Sequence, residues 1–222
     1  MERTSTDGLV TLVDRLTQIA AIEELRRDAY ERAPEFQVSG PIAWEWTQTD
    51  QKGHVLAVWD NAGNALATMR GTYAHNRAEA EEQLECSISL APSWFPTLVL
   101  ERAATKAGIV QRGLNSLLRY LFIECAIHHK LGSVTGAVFE GAPRLGVLKE
   151  LGYQFSLAER MWDPNFNQHT PVHIVALARN EMGMARLKLR NRFEETITRF
   201  PCRDRIKLPI ITQRDEVLDV ES

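Results

Sequence analysis

The most regular apolar pattern in the chain follows Gly113. Leu114, Leu117, Leu118, Leu121, Phe122, Cys125 and Ala126 fall at the three- and four-residue steps of one helical face. The spacing predicts a long buried helix ending near Lys130-Leu131-Gly132, with the glycine as its C-cap. A second stripe of Ile19, Ile22, Leu25, Ala29 and Tyr30 predicts an earlier helix capped by Thr17. Glu23, Glu24, Arg26 and Arg27 would fill its wet face, and Pro34 would end it. Residues 42–46, 54–60 and 65–73 are short β-rich runs. Asp60-Asn61-Ala62-Gly63-Asn64 joins the last two as an antiparallel hairpin, because its residues accept positive φ. Residues 97–105 predict another strand. After the long helix come a strand at 133–139, a short helix at 143–151 and a closing strand at 171–177. Residues 9–16 fit a strand or a helix equally, and the acidic stretch after Arg77 fits a loop or a short helix.

This order predicts a mixed α/β fold. A strand–helix–strand unit beside a meander gives a central, mostly antiparallel twisted sheet with one parallel pair and helices on both faces. A chain of 222 residues, 44% apolar and 25% charged, holds one such domain, expected over 1–178, and a C-terminal extension over 179–222 with a charged helix at 184–200.

Net charge is −3, so nothing in the overall balance draws the chain to nucleic acid. The distribution is uneven: Arg186 to Lys207 carries eight Lys/Arg against three Asp/Glu. Charges interrupt every apolar stretch before the roughly 18 residues of a membrane span. They also interrupt any signal core near the N-terminus, so a cytoplasmic location is expected. Cys86, Cys125 and Cys202 are odd in number and far apart, which argues against a disulfide framework and a zinc site. His128 and His129 are adjacent, so they point to different helix faces and make no metal pair.

Candidate chemistry begins at the turn into the long helix. Gln111, Arg112, Gly113, Leu114, Asn115 and Ser116 place a glycine, a cation and polar side chains at a helix N-terminus. Free amides there suit a phosphate or pyrophosphate. The same turn also reads as a capped helix start that holds no ligand.

That turn resembles a known one. With the strand before it, the amphipathic helix, the strand from Ser133 and Leu148-Lys149-Glu150-Leu151-Gly152-Tyr153, it is similar to the core of the GNAT N-acyltransferase superfamily. Glu23-Glu24-Leu25-Arg26-Arg27-Asp28-Ala29-Tyr30 and Ala67-Thr68-Met69-Arg70-Gly71 extend the resemblance over about 9–178. It implies a sheet whose parallel pair splays at the acyl-donor site. In the superfamily the turn reads Gln/Arg-x-x-Gly-x-Gly/Ala and binds the donor's phosphates through backbone amides. Here Gly113 matches the central glycine, while Val110 and Asn115 depart from the flanking places. Many acetyl-CoA members carry a tyrosine acid in Asn-x-x-Ala-x-x-Leu-Tyr. Gly141, Arg144 and Leu148 stand at the matching positions here, and the tyrosine is missing.

Within the superfamily, Glu101-Arg102 and Met69-Arg70-Gly71 look most like features of N-acyl-homoserine lactone synthases and long-chain N-acyl amino acid synthases. The resemblance implies an enzyme that moves a fatty acyl group from an acyl carrier protein or acyl-CoA thioester to the α-amine of an amino acid. No metal and no tightly bound cofactor are implied. An acetyl-CoA-dependent N-acetyltransferase and a non-catalytic GNAT-like binding or regulatory protein are the alternatives. Glu101 would be the base, with Arg102 beside it, and the amides of 99–103 would face the oxyanion. Arg70 would receive the acceptor's carboxylate, and Trp94-Phe95 would line the acyl tunnel. The bland readings are a Glu101–Arg102 or Glu101–Arg70 structural ion pair, a surface Arg70 on an edge strand, and a Trp94-Phe95 loop plug. The basic stretch would dock an acidic carrier protein, or be a solvated face or a homodimer contact.

Overall fold

The computed structural model describes residues 7–33, 44–109, 113–158 and 171–202. Gln111, Arg112, Val110 and Pro34 lie outside them. The chain runs through β1 (Gly8–Leu12), α1 (Leu16–Tyr30), α2 (Gln48–Lys52), β2 (His54–Asp60), β3 (Ala65–Ala74), α3 (Arg77–Leu84) and β4 (Thr97–Thr105). It continues through α4 (Leu114–His128), β5 (Ser133–Phe139), α5 (Arg144–Leu151), β6 (Gln154–Leu157), β7 (Val172–Ala178), α6 (Arg179–Arg192) and α7 (Glu194–Arg199). The strands form one sheet in the order β1-β2-β3-β4-β5-β7-β6, antiparallel throughout except at β4 and β5.

The expected mixed fold is therefore present, and its causes are local. Asp60 accepts from the Ala62 amide at 2.9 Å and the Asn64 amide at 2.8 Å, which closes the β2–β3 turn. The α4 stripe lies on one sheet face, where Leu117, Leu118 and Phe122 pack with Leu56, Met69, Leu98 and Leu100. Burying each such side chain contributes about 1.5–3 kcal/mol. On the other face, Ile22, Leu25 and Tyr30 of α1 cover Val55, Ala57 and Trp59.

Several local expectations need correction. Arg15, not Thr17, is the N-cap of α1, because the Gln18 side chain accepts from the Asp14 and Arg15 amides. Arg26 is fully buried instead of wet, since it sits four residues from both Ile22 and Tyr30 on the buried stripe. Residues 44–47 form no strand. Thr47 and Asp50 instead cap each other to start α2. At the end of α4 the left-handed residue is Lys130 (φ 55), ahead of Gly132. The charged C-terminal helix is two helices, broken at Phe193.

Residues after Ala178 join the main core. Met182, Ala185, Leu189 and Phe200 are buried in the cluster that contains α4. Cys202 bridges Val10, and Arg199 pairs with Asp7, so this stretch crosses from β7 to the opposite edge strand. No described helix is long and apolar enough to cross a membrane.

The parallel pairing is short. Thr97, Leu98 and Val99 face Ser133, Val134 and Thr135; beyond that point β4 and β5 part. Gly136 sits where they separate, and a Cβ there would come within 2.7 Å of the Leu100 carbonyl oxygen. Gly136→Ala is expected to destabilise the fold by about 1–3 kcal/mol, because neither backbone has slack to yield. Thermal denaturation measures it, and an unchanged melting temperature would mean that the strands open freely there.

Candidate active site

Beyond Val99, β4 stays paired with β3 but not regularly. Thr68 faces Ala104 and Arg70 faces Glu101, so three steps along β4 match two along β3. The extra residue makes a β-bulge, and Arg102 takes a left-handed φ of 49°. In a regular strand Glu101 and Arg102 would point to opposite faces. The bulge turns both toward α1 and α2.

There they meet a cluster of charges. The Arg70 guanidinium donates to Glu101 at 2.7 Å and lies 3.5 Å from Asp50. Arg26 donates to Asp50 at 2.8 Å in a pair fully closed from solvent. Arg102 lies 3.6 Å from Asp50 and donates to the Glu45 carbonyl at 2.8 Å. Arg26 also lies 5.7 Å over the Trp46 ring, a cation–π contact. Three guanidinium groups thus share two carboxylates. Among the described residues, no hydrogen-bond partner meets the buried Nε and Nη1 of Arg26 or the Nε and Nη1 of Arg70.

The two carboxylates are pushed apart. Burial raises Glu101 above the usual carboxylate range, more than the Arg70 and Arg102 charges lower it. Burial also acts upward on Asp50, but the charge and hydrogen bond of Arg26, with Arg70 and Arg102, hold it below its ordinary value. Such a divided pair supplies one fixed anion and one group able to exchange protons. Burial likewise raises Tyr30, which stays a neutral phenol beside the arginines.

The sequence reading missed Arg26, Asp50 and Tyr30. Two signals pointed to them: a charge on an apolar stripe at Arg26, and the Thr47-x-x-Asp50 capping pattern.

Next to the cluster, the parallel ladder ends at Val99, so from Leu100 the β5-facing side of β4 is no longer laddered to β5. The helix that follows begins at Gly113, whose φ of 71° places α4 without a side-chain cap. A Cβ at Gly113 would come within 2.3 Å of the Phe193 ring, so residues after α6 press on this turn. Leu114 is buried in the core, while Asn115 and Ser116 are half-buried in the first turn of α4. Trp94 and Phe95 lie elsewhere. They precede β4 at its paired end, where the Trp94 carbonyl accepts from Ser133 and Phe95 packs near Val99 and Ile174. The structure thus brings Arg70, Glu101 and Arg102 together and leaves Trp94 and Phe95 at the other end of the strand. Among the described residues, no group of three or more His, Cys, Asp or Glu is placed to hold a metal.

No protein-family model and no curated protein matches the chain. Solved structures do. FeeM, an N-acyl amino acid synthase from uncultured soil microbes, aligns over 84% of this chain and 99% of its own at a TM-score of 0.60 and 10% identity. The ribosomal-protein-S18-alanine N-acetyltransferase of Escherichia coli aligns over 77% and 93%, at 0.52 and 13%. The chain has the GNAT fold. Chaetomium thermophilum Naa20, solved with a bisubstrate analogue, aligns over 79% and 88% at 0.53 and 11%. On this GNAT fold the parted strands, the bulge and the charge cluster occupy one face-to-edge region around Leu100, Glu101 and Arg102.

Proposed function

We propose that this chain is an N-acyltransferase that moves a fatty acyl group from a carrier-protein or CoA thioester to the α-amine of an amino acid. The observation that carries the reading is Glu101, a half-buried carboxylate whose side chain is 16% exposed and whose pKa desolvation raises, set at a bulge where β4 leaves β5. Likeness of fold to FeeM and to N-acetyltransferases supports it.

The reaction needs position more than machinery, because a thioester is already activated. The donor lies between the parted strands, with its phosphate toward the α4 N-terminus, where Asn115 and Ser116 offer backbone amides. The amine nitrogen attacks the thioester carbonyl carbon, and Glu101 takes a proton from that nitrogen. Backbone N–H groups of β4 near the bulge face the oxyanion. The carbonyl re-forms, the carbon–sulfur bond breaks, and the thiolate takes up a proton as it leaves. The product is an amide, with no covalent enzyme intermediate. No tyrosine stands at the family's acid position, so the leaving thiolate depends on another proton source, such as the proton Glu101 has taken.

The test is product analysis by mass spectrometry after incubating folded protein with acetyl-CoA, long-chain acyl-CoA or acyl carrier protein and a pool of amino acids. Long-chain N-acyl amino acids support the reading. Acetylated products alone would make it an acetyltransferase, and no product would make it a binding protein. For the donor, α6 presents Lys188 and Arg190 to solvent. Reversing both charges leaves the side chains of the exposed Arg192–Glu150 and Arg186–Glu124 pairs in place and gives up the Lys188 bond to the Glu150 carbonyl. The double variant is expected to raise KM for a carrier-protein donor about tenfold and leave acyl-CoA use unchanged, since on-rate falls with lost charge complementarity. Equal loss with both donors would remove the docking role.

A further inference from the structure

We propose that Arg102, in place of Arg70, receives the acceptor's carboxylate, while Arg70 positions the base. The inference rests on the acyltransfer reading and refines which residue sets acceptor specificity.

The two arginines differ in what holds them. The Arg70 side chain is 5% exposed, and it spans the carboxylates of Glu101 and Asp50. Its charge is already matched at short range, so an incoming carboxylate would have to displace Glu101, which accepts from Arg70 at 2.7 Å. Arg102 is 19% exposed, the most open arginine of the cluster. Among the described residues, its one close hydrogen bond goes to a neutral carbonyl, that of Glu45, and Asp50 stands 3.6 Å away. One guanidinium edge is thereby committed and the rest of the fork remains for a ligand.

The electrostatics agree. Burial and the repulsion of Arg70 and Arg26 outweigh the pull of Asp50 and make Arg102 easier to deprotonate than an ordinary arginine. Even with Glu101 in the ionised form that acts as base, three cations face two anions, and an acceptor carboxylate at Arg102 supplies the missing negative charge. Position follows from the bulge. The bulge brings the base at Glu101 and the cation at Arg102, neighbours in the chain, into one cluster, as the amine and carboxylate of an α-amino acid are neighbours in the acceptor. An acceptor anchored at Arg102 presents its amine to Glu101. An acceptor anchored at Arg70 would have to part the pair that holds the base.

The test separates this proposal from the reading beneath it by measuring binding as well as turnover. Isothermal titration compares an N-decanoyl amino acid with its α-carboxamide on the wild type, Arg102→Gln, Arg102→Lys and Arg70→Lys. The wild type is expected to favour the carboxylate at least tenfold, a typical value for a charge-assisted pair. Arg102→Gln removes the preference, Arg102→Lys keeps part of it, and Arg70→Lys leaves it intact. In turnover, Arg102→Gln raises KM for the amino acid with kcat nearly unchanged, whereas Arg70→Lys shifts the acid limb of the pH profile. Thermal melting confirms that each variant is folded. No carboxylate preference in the wild type, or a preference lost in Arg70→Lys and kept in Arg102→Gln, overturns the assignment. Carboxylate-selective binding without turnover by any donor would retain Arg102 as the anion site and reject the acyltransferase reading instead.

Discussion

Glu101→Gln is expected to lower kcat by about 10²–10⁴-fold with every donor, the range that a positioned base contributes. The melting temperature should barely move. The sign follows from linkage. The Glu101 pKa is raised in the folded state, so the fold favours the protonated carboxyl, and the contribution is present at low pH and lost as pH rises through the folded value. At neutral pH a neutral, isosteric glutamine therefore removes no charge-dependent stability, and its amide oxygen still accepts from Arg70. The pH profile supplies the second readout. Activity in the wild type rises with pH as Glu101 ionises, with a midpoint above the roughly 4.3 of an ordinary glutamate. The variant should retain low activity without that limb. Full activity in Glu101→Gln, with the limb unchanged, would place the base elsewhere.

Much of the frame was legible because it follows from periodicity. The α4 stripe, the Asp60–Asn64 turn and the single parallel crossover each rest on local pattern, and each is present. The charge cluster is another matter. Pattern reading assigns a charged residue to solvent, and Arg26 defeats that rule because its partner Asp50 lies 24 residues away on another helix. Its place on the Ile22–Tyr30 stripe is visible in the sequence, but only the partner makes burial affordable. The bulge at Arg102 is equally silent in composition. One extra residue leaves the run from Thr97 to Thr105 looking like any strand. The clue lies in a conflict: two adjacent residues assigned to one site cannot share a face at period two unless the strand is irregular between them. The cluster also supports the choice of Glu101 over Asp50 as the base, since only the structure shows their opposite pKa shifts.

Asp50→Asn is expected to have the largest effect on stability, about 3–5 kcal/mol, the cost of removing one partner from a buried pair. For a domain of this size that lowers the melting temperature on the order of 10 °C. Asp50 is fully closed from solvent with Arg26, and it also faces Arg70 and Arg102 at 3.5 and 3.6 Å. Asparagine leaves three guanidinium groups facing Glu101 alone. Because the folded Asp50 pKa is depressed, its stabilisation is present above the unfolded value of about 3.9 and lost as pH falls through the folded one. The wild type should therefore lose stability over that acid window, and Asp50→Asn should lack this part of the pH dependence. Scanning calorimetry between neutral and acid pH measures both. Replacing the pair together, Arg26→Met with Asp50→Leu, should recover most of the loss, because the two groups that need each other are then both absent. A double variant no more stable than Asp50→Asn would locate the stabilisation in Asp50's grip on Arg70 and Arg102. Holding the fold and presenting the acceptor's cation would then be the same interaction.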